Sequence, residues 1–167
     1  VIEISSYQLE NSRLFSPDYA CILNLGSDHI DRHGSLKKYA NDKLRIFKNL
    51  NLNQHGIIYE NHKELRLGKK NLSKSIRKRI ISVDFKKNYF SFFNQPKQVL
   101  TKRKIVNTGI ANPYLLGDHN RENVFFAIKI SELLGIKYSG IANAIKTFKG
   151  LEHRQELVYS EDKIQIV

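Results

Sequence analysis

Short apolar runs and amphipathic segments alternate along the first third of the chain. Residues 1–4 and 19–25 are apolar and β-branched, which predicts two buried strands, and residues 8–14 between them predict a short helix. Ser35 can cap a further helix, because apolar side chains recur at helical spacing after it, to about Leu50. This alternation predicts an α/β fold with a parallel sheet in the first third.

The middle of the chain predicts further strands. Residues 56–60 form one apolar run, and residues 80–84 and 89–93 form two more on either side of the polar turn FKKN. Residues 104–107 predict another strand. No internal repeat and no Gly- or Ser-rich linker divides the chain, so one packed domain is expected.

Two helices and a hairpin are predicted in the last third. Helical periodicity runs over residues 120–134 and ends at Gly135, a residue type that commonly terminates helices. A second helix is predicted over residues 139–148. Residues 155–159 and 163–167 predict a hairpin around the acidic turn SEDK.

The composition is that of an ordinary globular domain. Of 167 residues, 41% are hydrophobic and 26% are charged, which excludes wholesale disorder and low-complexity character. Cys21 is the single cysteine, so an internal disulfide framework and a cysteine-based zinc cluster are excluded and a reducing compartment is expected. The sequence begins at Val1, contains no Met and shows no signal peptide or membrane span, and we expect it to be a piece of a longer protein.

The positive charge lies in one stretch. Residues 62–104 hold 14 Lys and Arg against two Asp and Glu, which accounts for the whole net charge of +12. The densest part, KKNLSKSIRKR, precedes the aromatic residues of the strand predicted at 89–93. Cations interleaved with aromatics could bind single-stranded nucleic acid. The alternative is a variable, solvated hairpin region, which the lack of an RNP-type or helix-turn-helix pattern favours.

Three clusters could carry chemistry, and the first is EISSYQLE at residues 3–10. Glu3 is a carboxylate in an otherwise apolar predicted strand. Buried carboxylates are costly unless they are paired or bound to metal, and ligands collect at the carboxyl ends of parallel strands. Glu3 is therefore a candidate Mg²⁺ ligand, with a solvated position at a sheet edge as the alternative.

The second cluster is the polar segment that follows the strand predicted at 19–25. It contains Asp28, His29, Asp31, Arg32 and His33. Oxygen ligands suit Mg²⁺, whereas the lack of cysteines and of an HExxH motif argues against a zinc hydrolase. The alternative is a polar turn in which Asp31 or Ser35 caps a helix. By position alone, Lys43 would lie in the middle of a helix on its solvated face.

The third cluster combines LLGDHNRENVFFA, residues 115–127, with GLEHRQE, residues 150–156. Asn120 and Asn123 are three residues apart at a helix start, where amides and free backbone N–H groups can contact a base or a phosphate. Arg154, beside His153, has forked donors that match phosphate oxygens. The alternative for Asn120 is a simple helix cap.

Together, the three clusters resemble the Mur ligase family. EISSYQLE is similar to the family segment E-[LI]-S-S-[FY]-Q-L-E, and NLGSDHIDRH is similar to N-[IV]-x-x-D-H-[ML]-D-R-[HY]. The third cluster is similar to G-x-H-N-x-x-N and G-L-x-H-R. The first and last segments are most like those of the member that adds D-glutamate. The resemblance covers the whole chain, and residues 62–104 are its least specific part.

The resemblance implies the fold of a Mur ligase central, ATP-binding domain. This is a P-loop-type α/β fold with a mostly parallel sheet flanked by helices and a small antiparallel β subregion. Residues 1–167 would form part of this domain, and residues 62–104 would be a basic, variable, β-rich region within it. The GxxxxGK[ST] loop, the N-terminal UDP-binding domain and the C-terminal amino-acid-binding domain are absent from the sequence. We therefore expect the piece alone to be inactive.

The resemblance also implies roles for individual residues. Glu3 and His29 would hold Mg²⁺, and Lys43 would be the lysine that becomes a carbamylated metal ligand in this family; His29 and Lys43 are the implied catalytic residues. Ser5 and Gln8 would contact the UDP-muramoyl substrate. Asn123 and Arg154 would contact ATP. The residues behind the contacting residues would be Asp28, Asp31 and Asn120.

The implied activity is ATP-dependent addition of D-glutamate to UDP-N-acetylmuramoyl-L-alanine through an acyl phosphate, with ATP and Mg²⁺ as cofactors. The expected partners are these small molecules, with no nucleic acid and no membrane, and the expected state is a cytoplasmic monomer. Three alternatives stay open: a sibling Mur ligase, a folylpolyglutamate synthase-like ligase and a basic nucleic-acid-binding module.

Overall fold

The chain is represented by a computed structural model. It describes residues 1–26, 30–59, 62–83, 97–100, 105–108, 112, 114–115, 118–151, 159–161 and 164–166. The backbone divides into two compact units, Val1–Phe85 and Lys86–Val167, where one packed domain was expected.

A parallel sheet organises the first unit. Its strands are β1 (Tyr19–Ile22), β2 (His55–Tyr59) and β3 (Ile80–Val83), in the spatial order β1-β2-β3. Both pairings are parallel, with Cys21 opposite Ile57 and Ile57 opposite Ile81. Parallel strands require crossover connections, and the segments between these strands contain helices. The predicted parallel sheet in this part of the chain is therefore confirmed.

The strand predicted at residues 1–4 is wrong. This segment has no regular secondary structure, and Val1 and Ile2 are exposed. A strand needs hydrogen-bond partners for its backbone, and no described strand pairs with this segment. The chain instead turns at Ser5 into helix α1 (Ser6–Asn11), which begins and ends earlier than predicted.

Two short helices follow β1. Helix α2 covers Ile30–His33, and helix α3 covers Leu36–Leu44. Ser35 caps α3 as predicted, because its Oγ accepts a hydrogen bond from the backbone N–H of Lys38 at 3.2 Å. The α-helix ends before Leu50, and a single 3₁₀ turn, Arg45–Phe47, continues it.

The basic stretch differs most from its prediction. Helices α4 (Lys63–Lys70) and α5 (Lys74–Arg77) occupy residues that were expected in a β-rich hairpin region. Helix α4 packs against α3 and buries Leu65 and Gly68, three residues apart. Two inward positions among many lysines give too sparse an apolar pattern to reveal a helix from the sequence.

The core of the first unit forms between the sheet and α3. Phe47 is fully buried, and its ring lies against the backbone of Gly56 in β2. A Cβ atom at position 56 would lie 2.7 Å from two atoms of this ring. The close contact therefore requires glycine at this position.

Among its described residues, the second unit contains two hairpins and two helices. Strands β4 (Lys97–Leu100) and β5 (Ile105–Thr108) pair antiparallel, as do β6 (Tyr159–Glu161) and β7 (Ile164–Ile166). The sequence predicted β5 and the closing hairpin but not β4. In that hairpin β7 lies within its predicted strand, whereas β6 includes Ser160 and Glu161, which were predicted as part of the turn, and residues 155–158 lie outside the described residues. The strand predicted at residues 89–93 lies outside the described residues.

The helices of the second unit confirm their predictions closely. They are α6 (Asp118–Leu133) and α7 (Tyr138–Thr147). Helix α6 is followed by Gly135 at φ 72°, and the N–H of Ile136 bonds to the carbonyl of Ser131 at 3.0 Å. This is the Schellman geometry that favours glycine. Across the described ranges, no helix combines the length and apolar character that a membrane crossing requires.

Candidate active site

The first turn of α1 carries the residues expected to contact substrate. The Oγ of Ser5 accepts a hydrogen bond from the backbone N–H of Gln8 at 3.2 Å, and the Oε1 of Gln8 accepts one from the backbone N–H of Ser5 at 2.8 Å. This reciprocal pair is a capping box, and it fixes both exposed side chains at the start of the helix. Glu3 lies two residues earlier and is exposed.

Behind this turn lies a buried polar cluster formed by Ser6, His33 and Asp42. The Oγ of Ser6 is 3.0 Å from Nε2 of His33, and Nδ1 of His33 is 2.9 Å from Oδ2 of Asp42. The three residues are 3%, 3% and 8% exposed. Because α1, α2 and α3 each supply one member, the polar cluster connects three helices.

Aromatic rings surround the imidazole of His33. The ring of Tyr7 stacks on it at a centroid distance of 5.3 Å, and the ring of Tyr39 contacts it at 5.0 Å. The guanidinium of Arg32 lies 4.1 Å from the centre of the Tyr7 ring. Fixed by two hydrogen bonds and two ring contacts, His33 has little freedom to rotate.

The order of hydroxyl, imidazole and carboxylate is that of a nucleophilic triad. A nucleophilic serine must reach a substrate carbonyl, however, and the side chain of Ser6 is buried on the inner face of α1. Its hydroxyl therefore serves the structure of the protein and not an attack on substrate.

Lys43 lies in the last turn of α3, directly after Asp42. Its position in the middle of a helix on a solvated face was predicted, and both parts are wrong, because α3 ends at Leu44 and Lys43 is half-buried. Its Nζ lies 5.1 Å from the centre of the Tyr39 ring. The ring of Tyr39 thus lies between Lys43 and His33.

The structure brings some of the predicted site residues together. Helices α1 and α3 pack against each other, so Ser5, Gln8 and Lys43 belong to one helix pair. Asp31 lies in the first turn of α2 and is exposed, so Ser35 and not Asp31 caps the helix that follows. Asp28 and His29 lie outside the described residues.

The described residues supply part of a possible metal site. Glu3 offers a carboxylate, a donor that suits Mg²⁺, in an exposed position. Among the residues that the structure describes, no three His, Cys, Asp or Glu side chains group as a metal site would require. The carboxylate of Glu3 therefore fits the expected ion in its chemistry, and a complete set of ligands requires His29 or a modified Lys43.

A cavity of about 680 Å³ lies in the second unit, between α6 and α7. Its wall is mainly apolar and includes Val124, Ile128 and Ile141, and Asn120 and Asn123 also line it. Asn120 lies within the first turn of α6, which begins at Asp118, so it is not the helix cap. Arg154, the other residue expected to contact nucleotide, lies outside the described residues.

Asn112 fixes one edge of this cavity. Its Nδ2 donates hydrogen bonds to the carbonyl oxygens of Ile145 at 2.6 Å and Phe148 at 2.7 Å, at the end of α7. Its Oδ1 accepts from the backbone N–H of Tyr114 at 2.7 Å. Because Tyr114, Ile145 and Phe148 line the cavity, one asparagine side chain sets the separation of these walls.

A protein-family model matches most of the chain. The family model of the Mur ligase middle domain matches residues 1–131. The chain belongs to the Mur ligase family. The fold is similar to that of a solved structure, MurF from Acinetobacter baumannii, which superposes with a TM-score of 0.64 at 18% identity, over 86% of this chain and 32% of that one.

Curated Mur ligases are similar over nearly the whole sequence. A protein of Caldicellulosiruptor bescii is 34% identical over 95% of this chain, and one of Koribacter versatilis is 35% identical over 93%. A protein of Caldanaerobacter subterraneus is 34% identical over 95% of the chain. All three are named UDP-N-acetylmuramoylalanine–D-glutamate ligase. The chain spans about a third of the length of these relatives.

In this Mur ligase chain the sequence placed His33 in a polar segment and Ser6 in the first cluster, but it gave no role to Ser6 or Asp42. Asp42 is three residues after Tyr39, which places it on the buried face of α3. A carboxylate at an inward position signals a buried partner. The capping box also had a signal, because S-x-x-Q at residues 5–8 is its sequence pattern.

Proposed function

We propose that the full-length protein adds D-glutamate to UDP-N-acetylmuramoyl-L-alanine, using ATP, in the synthesis of the peptidoglycan precursor in the cytoplasm. The observation that carries this proposal is the similarity to ligases of this name along about 95% of the chain. The packed pair of α1 and α3 supports it, because this pair holds three of the residues to which the proposal assigns a role.

The proposed reaction has two steps. The terminal carboxylate of the UDP-muramoyl substrate takes the γ-phosphoryl group of ATP, which gives an acyl phosphate and ADP. The amine of D-glutamate then attacks the acyl carbon, phosphate leaves and the amide forms. Phosphoryl transfer of this kind depends mainly on positioning and on offsetting negative charge.

Ser5 and Gln8 contact the UDP-muramoyl substrate in this proposal. Both side chains are exposed on the first turn of α1, and the capping box holds them in one arrangement. A preorganised pair of polar groups loses little conformational entropy when it binds a substrate. The fixed turn therefore suits a substrate-contacting role.

In this proposal the ε-ammonium of Lys43 loses one proton, and the resulting amine adds CO₂ and loses a second proton to form a carbamate. The reaction replaces a cation with an anion that can bind metal. Glu3, His29 and the modified Lys43 would then hold Mg²⁺, which offsets the charge on transferring phosphoryl oxygens when it is bound. The position of Lys43 supports this role, because it lies half-buried on α3, which packs against α1, the helix that carries Ser5 and Gln8 at its start.

Asn123 contacts the adenine of ATP and Arg154 contacts its phosphates in this proposal, with Asn120, Asp28 and Asp31 behind the contacting residues. The cavity supports the role of Asn123, since mainly apolar walls with a few amides suit a flat heterocycle. An amide side chain can pair with the edge of adenine through one donor and one acceptor.

The test is ADP release by the purified full-length protein. We expect release to require both UDP-N-acetylmuramoyl-L-alanine and D-glutamate, with the amide product identified by mass spectrometry. Release that requires a different amino acid or a UDP-muramoyl peptide would indicate a sibling ligase. Release that requires a folate and L-glutamate would indicate a folylpolyglutamate synthase-like enzyme, and either result would refute the proposed substrate.

A further inference from the structure

The histidine of the polar cluster joins two helices through directional contacts. Its histidine contacts α1 through Ser6 and Tyr7, and it contacts α3 through Tyr39 and Asp42. A buried polar group costs free energy unless its hydrogen bonds are made, and both ring nitrogens of His33 have partners. An apolar residue could fill this space without such directional bonds.

The chemistry of the partners fixes the tautomer of His33. An ionised carboxylate can only accept hydrogen bonds, so Nδ1 of His33 carries the hydrogen that Asp42 accepts at 2.9 Å. In the neutral ring, Nε2 is then an acceptor and takes the hydroxyl hydrogen of Ser6 at 3.0 Å. One arrangement of hydrogens therefore links α1 to α3.

We propose that His33 is a positioning residue that sets the placement of Lys43 relative to Ser5 and Gln8, an inference that rests on the proposed function. On one side its bond to Ser6 holds the turn that displays Ser5 and Gln8. On the other side Asp42 fixes the rotation of α3 one residue before Lys43, and Tyr39 supports the Lys43 side chain.

A polar cluster that positions Lys43 should differ, when it is lost, from buried hydrogen bonds that only stabilise the fold. Gln54 offers a matched comparison in the same unit, because it is also buried and bonds through Ser16 and the backbone of Asn51. It contacts neither α1 nor α3 in these bonds. Loss of either set of bonds should destabilise the fold, and loss of the bonds of His33 should also impair catalysis.

The experiment compares Asp42→Ala, Asp42→Asn and Gln54→Ala in the full-length protein. We expect Asp42→Ala to lower kcat about 10- to 100-fold, the usual effect of losing a group that orients a metal ligand. The KM for ATP should stay within twofold. Asp42→Asn should recover part of the loss, because its amide oxygen can still accept the Nδ1 hydrogen. Gln54→Ala should lower Tm by a similar amount and leave kcat within twofold. Equal losses of kcat at equal losses of Tm would overturn the inference.

A second measurement does not depend on activity. Nitrogen NMR of the full-length protein labelled with ¹⁵N-histidine should show His33 in the Nδ1–H tautomer, and Asp42→Ala should shift it toward a mixture. A wild-type ring that is mainly Nε2–H, or already mixed, contradicts the positioning role. If the wild type releases no ADP with D-glutamate, the proposed function fails, and the tautomer alone then decides whether His33 is fixed as inferred.

Discussion

The two groups of candidate site residues are held in opposite ways. In the first unit, Ser5, Gln8 and Lys43 are supported by a buried polar cluster whose members bond to one another at 2.9 and 3.0 Å. In the second unit, Asn120 and Asn123 lie on the mainly apolar wall of an open cavity of about 680 Å³. Directional bonds specify one arrangement, whereas apolar walls specify a shape.

This difference matches the demands of the chemistry that each group is proposed to serve. Transfer of a phosphoryl group tolerates little misplacement of the groups around it. Binding of a flat base depends on shape and one or two hydrogen bonds. The comparison predicts that substitutions in the first unit change turnover, and that substitutions at the cavity change nucleotide affinity.

The largest expected effect comes from removing the core beneath the first group. Phe47→Ala should lower the free energy of unfolding by about 3–5 kcal/mol, because it empties a fully buried position against β2. Urea denaturation followed by circular dichroism measures this. The matched control is Leu52→Ala at an exposed position, which should change stability by less than about 0.5 kcal/mol.

Removal of the Lys43 amine should come next. In the full-length protein, Lys43→Gln should lower kcat by about 100-fold or more, the scale on which loss of a charge-stabilising group acts. Lys37→Gln provides the control, because Lys37 lies on the same helix and is exposed. Steady-state ADP release measures both, and unchanged turnover in Lys43→Gln would exclude Lys43 from the reaction.

A smaller effect of a different kind is expected at the cavity. Asn123→Ala should raise the KM for ATP by about 10-fold, the equivalent of one lost hydrogen bond, with kcat within twofold. Asn143→Ala, at an exposed position of α7 outside the cavity lining, should change neither constant. A fall in kcat without a change in KM would remove the contrast between the two groups.

The pH dependence of stability tests the burial of Cys21 in β1. Burial raises the pKa of its thiol from 9.0 to about 12, so the folded protein disfavours the thiolate. Because the pKa of Cys21 is higher in the folded than in the unfolded protein, the folded state keeps its full stability below pH 9 and loses stability as the pH rises toward 12. From pH 8 upward, the Tm of the wild type should therefore fall relative to the Tm of Cys21→Ala. A constant difference would contradict it.

The smallest effect is expected from the basic stretch. Combined replacement of Lys70, Lys74 and Lys78 by glutamine should leave kcat unchanged and alter stability by less than about 0.5 kcal/mol, because all three are exposed. Filter binding of single-stranded RNA at two salt concentrations provides the second readout. Salt-sensitive binding that the triple variant loses would favour the nucleic-acid-binding alternative.

Local signals predicted the elements that local interactions form. Ser35 capped its helix, Gly135 ended α6, and apolar runs marked β1, β2 and β3. Such signals act within a few residues, so a single sequence reveals them. The segment 1–4 was mistaken for a strand because strand formation depends on a distant partner that an apolar run does not reveal.

The candidate site divides in the same way. Ser5 and Gln8 pair across one helical turn, which their spacing already encodes. The polar cluster joins residues that are 27 and nine positions apart, and no local pattern connects Ser6 to His33. Its one signal was Asp42 at an inward position of α3, and recognising it required knowing which face of α3 is buried.

The contact between Phe47 and Gly56 constrains how related sequences can vary. The ring occupies the volume that any side chain at position 56 would need, so the two positions share one fixed volume. A relative with alanine at position 56 should carry a smaller residue at position 47, or its β2 should be displaced from the helix above it. The two positions should therefore vary as a pair, and the size of one residue can be inferred from the other.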